Sequence, residues 1–505
     1  MKIVKVGVVA LFFALTCNFV NAKEEQKHTI VTDAAKIYDT LLHEVEVLYN
    51  ILPCSVDNAY HAIADGSLYG RLRTNAFRWD YKDSVNNHNN RALGMGGSIL
   101  YKTAPVSGIS AAAAFYYSTN PFASIRGEDS DVGYVRAGND TFSRHSVDTG
   151  GGWSMSVLAQ SYLQYAFSKT TFRVGRQAYQ SFLTSPNDTK MIPNTFEGYT
   201  LATREIPKTV IRAAYFYAQK LRDHTQFHDV LTYKDSSGHN WRGNDDAVSH
   251  RGLSYENLSV LGKEKNSLLV VDFRNESIKN LQIDFTYGAV PGLLSSLRSE
   301  LNYKIPLIKD FTLTPGIRHM QQFDDGAGAI GGASLSGYLA GLKGAQGGYT
   351  DASSLEGAIT MSRLVLTDGI LKFQLGYSAV ADKGDIVAPW RGFPTAGYTR
   401  AMGQYNWRAN TKTTMAEVYY DLGRAKILKD FSILARYLVQ DFDERKQISG
   451  VQADSHVTHM DFRKKFTQKL DAKFRVALVD GNTCIVTGIN KDSYNEYRFE
   501  LNYLF

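Results

Sequence analysis

Ten basic residues share one local pattern: each stands beside an apolar residue in a stretch where polar and apolar side chains alternate. They are Arg71, Arg73, Arg173, Arg212, Arg298, Arg318, Lys372, Arg436, Arg475 and Arg498. Their neighbours are Leu72, Phe172, Ile211, Leu297, Ile317, Phe373, Tyr437, Val476 and Phe499. A guanidinium stays protonated, and its planar fork meets a carboxylate in two parallel hydrogen bonds. A row of them on one face would hand a carboxylate-bearing or zwitterionic solute from one site to the next. Acids in similar stretches, Asp284, Glu300, Glu417 and Glu500, would pair with part of the row. Four acids against ten bases leave an excess.

The groupings that suggest enzyme chemistry fail on context. Gly326-Ala327-Gly328-Ala329-Ile330-Gly331 matches G-x-G-x-x-G, but it reads as an acidic, glycine-rich loop with no strand before it and no helix after. His224 and His228, and His456 and His459, lack the Glu or Cys company of a zinc site and read as a solvated loop and a strand. No spacing supports a Ser/His/Asp set, so no catalytic residue, metal or cofactor is expected. The formal net charge of +6 is spread along 505 residues, which leaves no basic patch for nucleic acid.

The elements that must position the basic residues have period two. Leu281, Ile283, Phe285 and Tyr287 alternate with Gln282, Asp284 and Thr286, and Tyr497, Phe499, Leu501, Tyr503 and Phe505 alternate to the last residue. Roughly 20 such segments of about ten residues are legible. The first residues form an export signal: Lys2 and Lys5, an apolar run from Val6 to Val20, and small residues at Val20 and Ala22 that place cleavage before Lys23. No later run reaches the roughly 20 apolar residues of a membrane helix. Long alternating strands in an exported chain imply an all-β transmembrane antiparallel barrel, integral to the outer membrane. The alternation then points the apolar set to lipid and the basic set inward, because a charge on the lipid face costs roughly 2–4 kcal/mol at the midplane.

Trp79, Tyr81, Tyr101, Tyr116, Tyr117, Tyr217, Tyr377, Tyr419 and Tyr420 lie near segment ends and are expected at the membrane interfaces. Turns are expected at Lys279-Asn280, Pro291-Gly292 and Gln468-Lys469, and long loops at about 119–150, 178–195, 222–252, 323–332 and 381–410. Thr29 to Asn50 differs, since Ile30, Ala34, Ile37, Leu41, Val45 and Leu48 recur at helical spacing. This short amphipathic helix reads as a periplasmic appendage, a plug or a homo-oligomer-forming coil. Cys54 and Cys484 remain after cleavage, too few to be the main source of stability. The organisation is thus signal peptide 1–22, periplasmic segment 23–65 and barrel 66–505.

One loop carries a recognisable motif. Arg173-Val174-Gly175-Arg176-Gln177, followed by Asp188-Thr189-Lys190-Met191-Ile192-Pro193-Asn194-Thr195-Phe196-Glu197-Gly198, resembles the OprD-type outer-membrane porin family. There a strand ending V-G-(E/R/K)-Q leads into a folded-in loop and a (D/S)-x-(R/K)-x-(I/L/F)-P-x-(T)-F-x-G return. Asp385 to Trp390 and Pro394 to Met402 resemble a second stretch of that family. The likeness spans roughly 66–505, with Arg176 in place of a common acid and segment 29–50 as an addition. It implies a barrel of 18 strands, so that two of the segments, near 254 and 333, would be loop ladders or merged strands. It also implies diffusion of small hydrophilic solutes through a water-filled channel that loop 178–195 narrows. On this reading Asp188, Lys190, Pro193 and Phe196 form the loop's side of a constriction, opposite the basic track. Amino acids or organic acids are the expected solutes, with Asp188 able to hold an amine. Outer-membrane lipid and the barrel-assembly machinery are the expected partners. The alternative is a structural or adhesive barrel with an occluded lumen.

Overall fold

The computed structural model describes residues 53–505 apart from 84–86, 122–131, 133–134, 137, 139, 149, 233–249, 447, 449–450, 484–487, 489 and 491. The signal peptide, the helix read at 29–50 and Cys484 lie outside the described residues. Eighteen strands follow one another: β1 (Ser67–Tyr81), β2 (Asn90–Lys102), β3 (Ile109–Thr119), β4 (Ser154–Phe167), β5 (Thr170–Gln177), β6 (Thr195–Thr203), β7 (Thr209–Lys220), β8 (Leu268–Asn275) and β9 (Leu281–Val290). The second half is β10 (Leu294–Tyr303), β11 (Thr312–Asp324), β12 (Gly357–Thr367), β13 (Leu371–Val380), β14 (Lys412–Asp421), β15 (Phe431–Asp441), β16 (Ser455–Lys465), β17 (Leu470–Gly481) and β18 (Tyr494–Leu504). Ile305–Pro306 adds a two-residue pairing beside β11. Every strand is antiparallel to its neighbours, and β1 pairs with both β2 and β18 from Arg71↔Leu504 to Tyr81↔Tyr494. Closure leaves no unpaired edge, the condition for strands to cross lipid. The segments near 254 and 333 are not strands: Tyr255–Ser259 is one helical turn, and residues 333–341 form turns.

The pleat sorts side chains as the alternation demands. On β10, Leu297, Leu301 and Tyr303 stand exposed on the outer face, while Arg298, Glu300 and Asn302 are buried inside. A slip of one residue would send these charges into lipid, so the register is firmly set. The aromatic expectations divide by parity. Tyr101, Tyr117, Tyr217, Tyr377 and Tyr420 lie on the outer face. Trp79, Tyr81, Tyr116 and Tyr419 do not, because they share parity with inner residues such as Phe77, Ser118 and Glu417. Trp79 stacks on Tyr494 at 3.9 Å inside the barrel.

Short turns join strands at one rim and long loops at the other, the division of an outer-membrane barrel between periplasm and exterior. Pro291-Gly292 is an exception, a tight turn on the long-loop rim. Before β1, a helix α1 (Ala59–Ala64) that the sequence did not announce is capped by Asn58, whose side chain accepts from His61 N at 2.9 Å. It docks on the β2–β3 turn, where Ala104 N donates to Ala62 O at 2.8 Å.

The largest apolar core lies within the barrel. Tyr179, Leu183, Phe196, Val230, Trp390 and Trp407 come from loops or strand ends and pack on inward residues such as Phe216, Met320 and Ile359. Loops that fold inward thus need an apolar inner wall in the half of the barrel they fill.

Candidate functional site

Two loops meet inside the barrel. The β5–β6 loop, residues 178–194, reaches wall strands in opposite directions. Asp188 Oδ2 accepts from Arg71 Nη2 at 2.7 Å, and its Oδ1 from Arg73 Nη1 at 2.9 Å. Ser181 Oγ donates to Asp272 of β8 at 2.5 Å, and Phe182 lies 5.1 Å from the guanidinium carbons of Arg298 and Arg318. The β13–β14 loop, residues 381–411, joins it through Ser185 N to Trp390 O and Gly392 N to Leu183 O, both 2.9 Å. Gly392 is needed there, since a Cβ on it would stand 2.3 Å from the Leu183 carbonyl carbon. Trp390 Nε1 donates to Val230 O at 2.7 Å, which ties in the β7–β8 loop.

The loop residues singled out from sequence have separate placements. Asp188 is bound to two arginines. Lys190 is buried, 3.2 Å from Asp140 and 4.3 Å from the Phe77 ring. Pro193 O accepts from Lys220 Nζ at 2.8 Å, and Phe196 stacks on Phe216 at 4.8 Å, so these two anchor the loop base.

The ten basic residues all lie on inner-face positions of their strands, and the structure gathers most of them around shared acids. Glu300 takes Arg318 Nε at 2.7 Å, Arg363 Nη2 at 3.4 Å and Arg298 Nη2, as well as Tyr398 OH at 3.1 Å. Glu417 takes Arg436 Nε at 2.5 Å and Lys372 Nζ. Arg73 also reaches Glu500 at 3.0 Å, and Arg212 reaches Asp272 at 2.7 Å. Asp461 holds Lys473 at 3.2 Å with Arg475 at 3.8 Å, and Glu496 holds Arg498 at 2.6 Å. Arg173 stands apart, bonded to Gln164 at 2.7 Å. Arg274 pairs with Asp284 at 2.6 Å. The sequence reading missed Arg274, Arg363 and Lys473 among the bases, and Asp272, Asp461 and Glu496 among the acids.

Between the two loops and strands β9 to β15, toward the short-turn rim, lies a cavity of about 300 Å³. Arg363, Lys372 and Arg436 face it from the wall, Arg391 and Arg400 from the loop, with Glu417 as the acid. Phe393 and Tyr398 add aromatic surface. An anion inside would meet charge-assisted donors from several sides.

The enzyme-like groupings resolve physically. The G-x-G-x-x-G run does follow a strand, β11, and Ala327–Gly331 is a short helix, contrary to the loop reading. Its amides are already used: Gly326 N and Gly328 N both donate to Asp324 Oδ1, at 2.9 and 3.0 Å. His224 is buried rather than solvated, and its Nδ1 lies 2.9 Å from His228 Nε2. His459 is buried on the inner face beside Asp461, whereas His456 faces out beside Tyr437, because an odd spacing in a strand puts two residues on opposite faces. No metal-binding group of His, Cys, Asp or Glu exists among the described residues.

A closed antiparallel barrel of 18 long strands, apolar outside and ionic inside with loops folded into its bore, defines an integral outer-membrane channel protein. Residues 156–382 match the family model of the outer membrane porins called OprD. Members of that family are channels, not enzymes. Pseudomonas aeruginosa OccK8 (OprE) superposes with a TM-score of 0.65 at 14% identity, covering 88% of this chain and 99% of that one. Acinetobacter baumannii OccAB3 gives 0.66 at 16% identity, covering 88% and 100%. Pseudomonas aeruginosa OpdK, solved with vanillate, gives 0.63 at 12% identity, covering 88% and 99%. At these identities the superpositions establish the fold. No curated protein matches the chain by sequence.

Proposed function

We propose that this porin admits small solutes bearing a carboxylate, amino acids or organic acids, along the inner basic track and past the paired loops. The observation that carries this reading is the sharing of acids: three arginines surround Glu300, and a lysine and an arginine surround Glu417. Those two clusters hold five cations on two carboxylates and stay net positive with every acid ionised. In a narrow lumen, such a field favours anions. Asp188 acts on this reading as a tether for the loop, since Arg71 and Arg73 already occupy it.

The supporting export features are the signal peptide 1–22, the periplasmic segment 23–65 and a terminal strand that the assembly machinery engages. Deleting Phe505 should then lower the yield of folded protein in the outer membrane. For the channel itself, purified protein in a planar bilayer should give stepwise, anion-favouring conductance, and vesicles holding it should swell in isotonic amino or organic acids. Absence of conductance would favour a structural or adhesive barrel with a closed lumen.

A further inference from the structure

The short turns carry a pattern that solute passage does not use. Five of them expose a large apolar side chain with a lysine at most three residues on: Ile206 with Lys208, Ile278 with Lys279, Ile308 with Lys309, Ile427 with Lys429, and Phe466 with Lys469. These residues sit at the tips of the β6–β7, β8–β9, β10–β11, β14–β15 and β16–β17 turns. Two of the turns nearly repeat in sequence, Leu307-Ile308-Lys309-Asp310-Phe311 and Ile427-Leu428-Lys429-Asp430-Phe431. Ile308 is 83% exposed and Ile427 65%, more than outward residues of the barrel wall such as Leu297 at 46%.

A turn that only reverses the chain in water has no use for an isoleucine at its tip. Turn chemistry favours Gly, Asn, Asp, Pro and Ser. Lys208 and Lys309 even take the left-handed conformation, with φ of 56° and 57°, where Gly or Asn would be easier. Charge is biased the same way. The eight short turns hold ten Lys and Arg against five Asp and Glu, whereas the long loops hold nineteen against twenty-three. The apolar tips also continue the lipid-facing surface. On β10 the outward row Leu297, Leu301, Tyr303 keeps its parity through Ile305 to Leu307, and Ile308 follows.

We infer that the short-turn rim is a binding surface for anionic phospholipid of the periplasmic leaflet. The isoleucine and phenylalanine tips enter the acyl boundary, and the lysines beside them hold headgroup phosphates. A lysine near an anionic leaflet gains electrostatic attraction that falls off within a Debye length. Apolar tips next to those lysines fix the depth at which the rim sits, as interfacial residues do for other membrane segments.

The test compares folded full-length protein in vesicles of phosphatidylethanolamine with phosphatidylglycerol at about 3:1 and in vesicles of phosphatidylcholine alone. The readout is the temperature at which the heat-modifiable folded band disappears. The wild type should melt higher with phosphatidylglycerol at low salt, and the gap should shrink at high salt. Replacing Lys208, Lys279, Lys309 and Lys429 together by Gln should erase the gap and leave the phosphatidylcholine midpoint unchanged. Replacing Ile206, Ile278, Ile308 and Ile427 by Ser should lower both midpoints. If the latter variant fails to fold, the lysine variant still decides the question. A lysine variant that keeps the full gap would overturn the inference. So would an equal loss from Lys82→Gln with Lys343→Gln on the long-loop rim.

Discussion

Asp188 Oδ2 lies 2.7 Å from Arg71 Nη2 and Asp188 Oδ1 lies 2.9 Å from Arg73 Nη1, so the acid of the β5–β6 loop is bound to the first strand of the barrel. Asp188→Asn would remove a negative charge from the lumen and loosen the loop from β1. The reversal potential in a KCl gradient should move toward the anion potential, and open-channel current should become noisier. If neither changes, the pair does not border the conducting path.

Glu300 is buried among Arg298, Arg318 and Arg363 and also accepts from Tyr398. Removing the acid leaves three guanidiniums without their shared partner, and breaking a buried pair in this way costs about 3–5 kcal/mol. Glu300→Gln should therefore lower the midpoint of barrel melting, far more than Glu356→Gln on an exposed loop. Equal midpoints for the two variants would contradict the burial argument.

Gly392 allows the two inward loops to touch, because a Cβ would meet the Leu183 backbone at 2.3 Å. Gly392→Ala must push the loops apart, at a cost of roughly 1–3 kcal/mol for overpacking. Single-channel recordings should show more sublevels than wild type. A trace identical to wild type would mean that the junction between loops does not limit flow.

The β7–β8 loop has its own pH dependence. His228 Nδ1 lies 2.8 Å from Asp229 O and 3.1 Å from Thr232 O, so it carries the proton and donates to them, and Nε2 is left to accept from His224. Burial pushes the His228 pKa down to about 4 from 6.5. The folded loop binds fewer protons than the unfolded one between those values, so this stabilisation is complete above pH 6.5 and is lost as pH falls toward 4. At most about 3 kcal/mol is involved. Amide exchange of residues 221–232 should accelerate from pH 7 to 4.5 after correction for intrinsic rates, and His228→Gln should flatten the change. A flat wild-type profile would rule this mechanism out.

The barrel was legible wherever one face of a strand meets lipid. The alternation of the wall strands follows from period two, and the likeness at the first motif stretch is matched over residues 156–382, whereas the segments near 254 and 333 read as strands by period two and are set aside only by the 18-strand count that the likeness implies. Legibility failed where loops fill the bore, because apolar side chains then occur on both faces. Arg363 illustrates the limit. It shares its inner face with Met361 and Ile359, while Ser362 and Thr360 point outward, so polarity along β12 inverts and hides the charge. The pairing Gly316↔Arg363 beside Arg318↔Met361, together with the ion pair to Glu300, reveals the inner position. Trp79 and Tyr81 were misread for the same reason, since aromatics near strand ends also suit an inner core. The short turns misled less, although the exposed isoleucines that mark them are invisible to any rule that expects polar turn residues.

If the shared-acid clusters around Glu300 and Glu417 favour anions in the lumen, their cations must set the reversal potential, and one measurement addresses this directly. Arg298, Arg318 and Arg436 would be replaced together by Gln, and the reversal potential measured across a tenfold KCl gradient at low ionic strength, where screening is weakest. Folding of the variant is checked first by its heat-modifiable band. The expected result is a shift of the reversal potential toward the cation potential, with slower entry of a small carboxylate into vesicles. A folded variant with the wild-type reversal potential and unchanged carboxylate entry would show that these arginines do not govern passage.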